Sequence, residues 1–307
     1  TPTATKPNII FIMADDLGYG DIGPFGQKLI RTPNLDRLAA EGTCFTQYYA
    51  GGSVCSPTRS VLMTGQHTGH TRIRGNHGQT GLARVPLKAS DVTVAEVMKS
   101  AGYATAIAGK WGLGEPGTEG IPNRQGFDRW FGYLNNDLAE FYYPEKIWRN
   151  EQEISLPGNA GGQRGQYSHD LMTDEALAFI DARHKRPFFL YVAYNAPHSP
   201  YQVPDKYFDK FKAKGFGDDV AAFYGMCENL DDNVGRLLAH LESLKLAEDT
   251  IVLFLTDNGG TAGVKTFNAG MRGGKTSVHE GGTRVPLFVE RFGNDPPVEF
   301  FGRVVPV

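Results

Sequence analysis

Residues 8–16 read NIIFIMADD, and the fold follows from how that run is interpreted. An unbroken apolar run of strand length, rich in β-branched isoleucine, predicts a strand buried on both faces from about Ile9 to Met13. Asp15 and Asp16 sit just past its carboxyl end. The pattern returns three times downstream. YATAIAGK (103–110) delivers Lys110, PFFLYVAYN (187–195) leads to His198, and TIVLFLTDNGG (250–260) delivers Asp257 and Asn258. Four predicted strands each carry a charged or liganding group just past their carboxyl ends, the edge at which open parallel sheets bind ligands.

Between these runs lie helical patterns. TPNLDRLAAEG (32–42) predicts a short helix with Pro33 early and Gly42 as its stop. SDVTVAEVMKSAG (90–102) predicts a helix started by Ser90 or Asp91 and ended by Gly102. A third helix is expected over about 170–182. Residues 218–246 carry helical spacing, with a break expected near the acidic ENLDDN (228–233). Residues 111–166, rich in Gly, Pro, Asn and aromatics, read as long loops over one edge of the sheet. The alternation predicts an α/β fold, a mostly parallel central sheet sandwiched by helices, in one domain over residues 1–307.

At 307 residues and 40% hydrophobic, the chain can bury a large core. A net charge of −3 offers no basic field for nucleic acid or an anionic membrane, and the run IIFIMA is far too short to span a bilayer. Three cysteines allow at most one disulfide, so Cys44 and Cys227 read as small buried hydrophobes. The polar opening TPTATKP, without methionine, suits a mature periplasmic or secreted protein whose signal peptide is gone.

Asp15, Asp16, Asp257 and Asn258 offer only hard oxygen ligands, a set for Ca²⁺ or Mg²⁺ and a poor one for zinc. Either pair alone reads equally as a cap or a turn. Together they favour a cation, because adjacent aspartates at the mouth of a buried strand repel unless neutralised. Cys55 lies in GGSVCSPTRSVLMTG (51–65), with Pro57 near the first turn of a helix and Arg59 one turn along. A helix N-terminus favours an anion there, and the generic inference is a reactive thiolate. That chemistry wants a histidine base, and hard oxygen ligands are strange company for it.

These residues resemble a known family. SVCSPTRSVLMTG (53–65) is similar to the signature of the formylglycine-dependent sulfatases of the alkaline phosphatase superfamily: Cys-x-Pro-x-Arg, a hydrophobic pair, then Thr-Gly. GYATAIAGKWGLG (102–114) resembles the family's second signature, and PNIIFIMADDLGYGDIG and TDNGG its two metal strands. NAPHSPY and GGKTSVHEGGTRVP match further blocks in the expected order, so the resemblance runs from about residue 7 to 289. It implies that Cys55 is oxidised to formylglycine by a formylglycine-generating enzyme during maturation. The hydrated aldehyde would attack sulfur, while Asp15, Asp16, Asp257, Asn258 and the modified Cys55 hold a cation, usually Ca²⁺ and less often Mg²⁺. Arg59 and Lys110 would stabilise the diol, Lys275 would hold the sulfate, and His198 would protonate the leaving alcohol. The implied substrate is a sulfate monoester, with a sulfated carbohydrate favoured over a small aryl sulfate. The alternatives are a phosphodiester or phosphonate monoester hydrolase, and a catalytically silent glycan-binding protein.

Two departures stand out. The second signature usually reads Gly-Lys-Trp-His-Leu, and its histidine is thought to take a proton during sulfate release; here that position is Gly112. His67, His70 and His77 are candidate replacements. The family normally continues into a smaller C-terminal sheet subdomain, which is expected to be missing here, since residues 290–307 form an atypical tail. Arg72, Arg74, Arg124 and Lys265 are candidate anion contacts, with a solvated surface as their simpler role. The aromatic run FYYPEKIW (141–148) serves either sugar stacking or loop packing.

Overall fold

The computed structural model describes residues 6–76 and 85–291. The first half comprises β1 (Asn8–Ala14), α1 (Pro33–Glu41), β2 (Thr43–Cys44), α2 (Cys55–Thr64), α3 (Val94–Ser100), β3 (Ala104–Lys110), β4 (Arg129–Tyr133), β5 (Lys146–Arg149) and β6 (Gln152–Ser155). Then follow α4 (Ser168–Arg183), β7 (Phe188–Ala193), α5 (Asp205–Lys212), α6 (Asp218–Ser243), β8 (Thr250–Thr256), α7 (Glu280–Thr283) and β9 (Leu287–Arg291). The strands form one sheet in the order β2-β9-β8-β1-β7-β3-β4-β5-β6. The central five, β8-β1-β7-β3-β4, are parallel. The parallel centre is the one expected from the sequence, and the sheet as a whole is mixed: antiparallel β9 and β2 extend one side and antiparallel β5 and β6 the other.

The two-residue period of β1 sorts the core into layers. Ile10, Ile12 and Ala14 face α1, α4 and α6, joining Leu38, Phe179, Leu230 and Leu237 in one buried cluster. Met13, with the partly buried Ile9 and Phe11, faces the other layer beside Met63 of α2 and Ala95 of α3. Strand β7 is buried along its whole length and divides the same way, Phe188, Leu190 and Val192 against Phe189, Tyr191 and Ala193. Cys227 is buried as expected, whereas Cys44, on the short edge strand β2, is only partly so.

Three sequence expectations need correction. Residues 111–166 include β4 and the β5–β6 hairpin, which widen the sheet; the hairpin is a largely exposed edge and carries no apolar run to announce it. Helix α3 starts at Val94, because Thr93 and Glu96 close a reciprocal capping box that Ser90 and Asp91 cannot make from their positions. Helix α6 runs unbroken through residues 228–233, because its polar side chains find partners on other elements. Helix α5 and strands β2 and β9 were not expected from the sequence.

Candidate active site

The expected residues converge at the carboxyl edge of the parallel strands. Asp15 and Asp16 leave β1, Lys110 ends β3, His198 follows β7, and Asp257 and Asn258 leave β8. Cys55 is the first residue of α2, and Lys275 reaches in from the long connection before β9. Asp15, Asp16, Cys55, Arg59, Asp257 and Asn258 are fully buried and Lys110 nearly so. His198 and Lys275 keep 13% and 17% side-chain exposure, so they form the mouth of the site.

Asp15 is the hub. Its Oδ1 accepts from Cys55 Sγ at 3.2 Å, and its Oδ2 meets Lys110 Nζ at 2.5 Å and Arg59 Nη2 at 3.6 Å. Arg59 donates to Asp257 Oδ2 at 3.2 Å and to the carbonyl of Lys110 at 2.9 Å, which fastens α2 to both strand ends. Asp16 takes an uncommon left-handed conformation, φ +68°, that aims its carboxylate across the site. That carboxylate meets Lys275 Nζ at 2.7 Å, Asn258 Nδ2 at 2.7 Å and His198 Nε2 at 3.7 Å, while Asp16 N donates to Asp257 Oδ1 at 3.1 Å.

Charge explains the titration. Burial raises the Asp15 carboxyl, but Lys110, His198, Arg59 and Lys275 outweigh it and hold Asp15 well below the usual carboxylate range. Asp257 has one cation against two carboxylates, and burial with Asp15 pushes it up. Burial and the Asp15 carboxylate also push the Cys55 thiol well up. Lys110 pulls the other way without outweighing burial and the strand-end carboxylates, so the surroundings work against the generic thiolate reading.

The donor set suits a hard divalent cation. Three carboxylates crowd one buried space, and Asn258 Oδ1 is buried there without a hydrogen-bond partner, its amide nitrogen being spent on Asp16. Ligand atoms of Asp15, Asp16, Cys55 and His198 all lie within 4.8 Å of one another. The three carboxylates are matched by Arg59, Lys110 and Lys275, so a divalent cation would leave the site positive and ready for an anionic ligand.

Other candidates lie apart. His67 and His70 sit on an exposed loop, their rings 5.4 Å from one another, and His77 is outside the described residues. Arg72, Arg74 and Lys265 are exposed, and Arg124 pairs with Glu151 at 3.5 Å. The aromatic run divides by role: Tyr142 is buried against Tyr167, Trp148 stacks on Trp130, and Phe141 stays 59% exposed. Sequence reasoning named Tyr142 only as part of that aromatic run and missed Asn136 and His169, polar side chains packed around the site. His169 had a signal, since it shares the buried stripe of α4 with Met172, Thr173, Ala176 and Ile180.

Comparison with known proteins accords with this geometry. The family model described as Sulfatase matches residues 7–298. The chain is 34% identical to an N-acetylgalactosamine-6-sulfatase of Sus scrofa, over 96% of this chain and 59% of that protein. It is 35% identical to arylsulfatase A of Homo sapiens, over 92% of this chain and 58% of that one. The chain thus spans less than three fifths of the length of these relatives. The crystal structure of Ps i-CgsB in complex with k-i-k-neocarrahexaose superposes with a TM-score of 0.80 at 32% identity, covering 94% of this chain and 66% of that one.

Proposed function

Since the chain belongs to the sulfatase family, we propose that it hydrolyses sulfate monoesters of a sulfated carbohydrate. The carrying observation is the convergence on position 55: Sγ lies 3.2 Å from Asp15, in a site where cations and oxygen donors from four strand ends meet. The names of the relatives, which act on sulfated sugars and aryl sulfates, support the choice of substrate class.

In this reading Asp15, Asp16, Asp257 and Asn258, with the modified side chain at 55, hold a calcium ion, magnesium being the lesser candidate. Bound calcium supplies Lewis-acid polarisation of the sulfate, and formylglycine at 55 supplies the hydroxyl nucleophile that a neutral thiol lacks. Arg59 and Lys110, both buried and fixed by Asp15, stabilise negative charge developing on the attacking oxygen. Lys275 binds sulfate oxygens at the mouth. His198 Nδ1 is engaged by the Ser199 carbonyl, which turns Nε2 toward Asp16 and the cleft, where it delivers a proton to the leaving alcohol. Maturation by a formylglycine-generating enzyme and a periplasmic or secreted setting belong to the same proposal. No described helix is long and apolar enough to cross a membrane.

The test joins a peptide mass spectrum across residues 51–59 to a sulfate-release assay with and without a chelator. The expected outcome is an aldehyde or its hydrate at position 55, with calcium-dependent sulfate release. A fully converted, calcium-replete protein that releases nothing from a panel of aryl and sugar sulfates overturns the reading.

A further inference from the structure

We propose that His169 is a positioning residue for His198, acting through the backbone of the turn at 195–198. The inference rests on the sulfatase reading, in which His198 protonates the leaving group.

His169 is the second residue of α4 and is fully buried. Its Nε2 accepts a hydrogen bond from the backbone N–H of Ala196 at 2.8 Å. A ring nitrogen that accepts carries no proton, so the imidazole is the neutral tautomer with its hydrogen on Nδ1. The ring is walled by Tyr194, Tyr167 and Tyr142, with centroids 4.9, 5.6 and 6.0 Å away. Burial in that aromatic box lowers its pKa to about 4 and keeps the acceptor available across the physiological range.

Ala196 is gripped from its other side by the site itself. Its carbonyl accepts from the backbone N–H of Asp15 at 3.0 Å. One residue thereby ties α4, through His169, to the backbone of Asp15 in the candidate cation site. Two residues on, the carbonyl of His198 and that of Asn195 lie 2.6 and 2.7 Å from the Tyr142 hydroxyl, and His198 N closes the turn on Asn195 O at 3.1 Å. Asn195 Nδ2 donates to the Ala139 carbonyl at 2.7 Å. The turn bearing His198 is thus fixed by backbone contacts rather than by packing of the His198 ring, which stands at the mouth. His169 supplies the one side-chain acceptor in that set, and a ring of equal size without an acceptor leaves the Ala196 N–H buried and unpaired.

The test compares His169→Phe, which keeps an aromatic ring but no acceptor, with His169→Gln, whose amide oxygen can take the place of Nε2. His198→Ala serves as the reference. kcat and KM are measured for aryl sulfates of graded leaving-group basicity, on protein whose folded fraction is checked by thermal melting. His169→Phe is expected to lower kcat about 100-fold for the most basic leaving groups and only a few-fold for 4-nitrophenyl sulfate, with KM little changed. That trend has the same sign as for His198→Ala, and His169→Gln recovers most of the loss. An equal loss across the series, or a Gln variant no better than Phe, assigns His169 to packing alone and overturns the proposal. A second readout needs no turnover: amide exchange at Ala196 and the ring resonances of His198, followed by NMR. Exchange accelerated about 100-fold with displaced His198 resonances in the Phe variant supports the positioning role. Unchanged signals overturn it, even in a protein that releases no sulfate.

Discussion

At Gly112 the backbone takes φ +75°, and a Cβ there would come within 2.8 Å of Asn136 Oδ1. The Asn136 amide is in turn committed to the site's helix, donating to Ser56 Oγ at 2.9 Å, while Ser56 Oγ donates to the Gly112 carbonyl at 3.2 Å. The glycine and the asparagine are one local solution, so the histidine that the sulfatase signature carries at this position cannot enter without moving Asn136. Gly112→Ala is therefore expected to lose about 1–3 kcal/mol of stability in urea denaturation. A midpoint equal to that of the parent would show that Asn136 gives way freely. The departure at 112 was legible in the sequence, because it interrupts a familiar motif. Its partner was not, because Asn136 lies 24 positions on in a stretch without periodicity, and only the close approach of β3 and β4 brings the two together.

At the scale of elements, polar residues inside helices decide how the layers join. Thr32 makes no side-chain cap for α1. Asp231 of α6 does that work from outside: Oδ1 accepts from Leu35 N at 2.8 Å, and Oδ2 from Asn34 N at 3.1 Å and Asn34 Nδ2 at 2.8 Å. Asp231→Ala should cost about 1–3 kcal/mol, since it strands buried donors at a helix start. Asp231→Asn, which keeps one acceptor, should fall between the variant and the parent; equal loss in both would mean that charge rather than geometry matters. The same chemistry explains why α6 does not break. An acidic run in a helical pattern looks like an interruption when its partners are unknown, yet Glu228 meets Lys210, Asn233 meets Asp170, and Asp231 meets α1. Such partners are distant in sequence and leave no local trace. The buried strands were legible for the opposite reason, since burial on both faces prints a continuous apolar run, as in β7.

Across the whole molecule, the candidate site is where strands from opposite ends of the chain finish side by side. Each carboxyl-end residue could be named from sequence, because a strand followed at once by a charge is a local pattern. The strand order could not, because register is a property of pairs. A cation shared by the ends of β1 and β8 binds the folded chain and not the open one. Calcium at a hundredfold excess over its Kd is therefore expected to add about 2.7 kcal/mol of stability and raise Tm by several degrees. Asn258→Ala should erase most of that rise without erasing folding. A melting curve indifferent to calcium and to chelator would argue against a cation at these strand ends. The position of β1 has one more consequence. It is made before every other described strand, but its neighbours β7 and β8 begin only at Phe188 and Thr250. At roughly 5–20 residues per second, a ribosome leaves it without its first neighbour for roughly ten to thirty-five seconds, with both edges bare. The strand that anchors the chemistry is thus also a segment that must be kept from pairing with other chains while the rest is being synthesised.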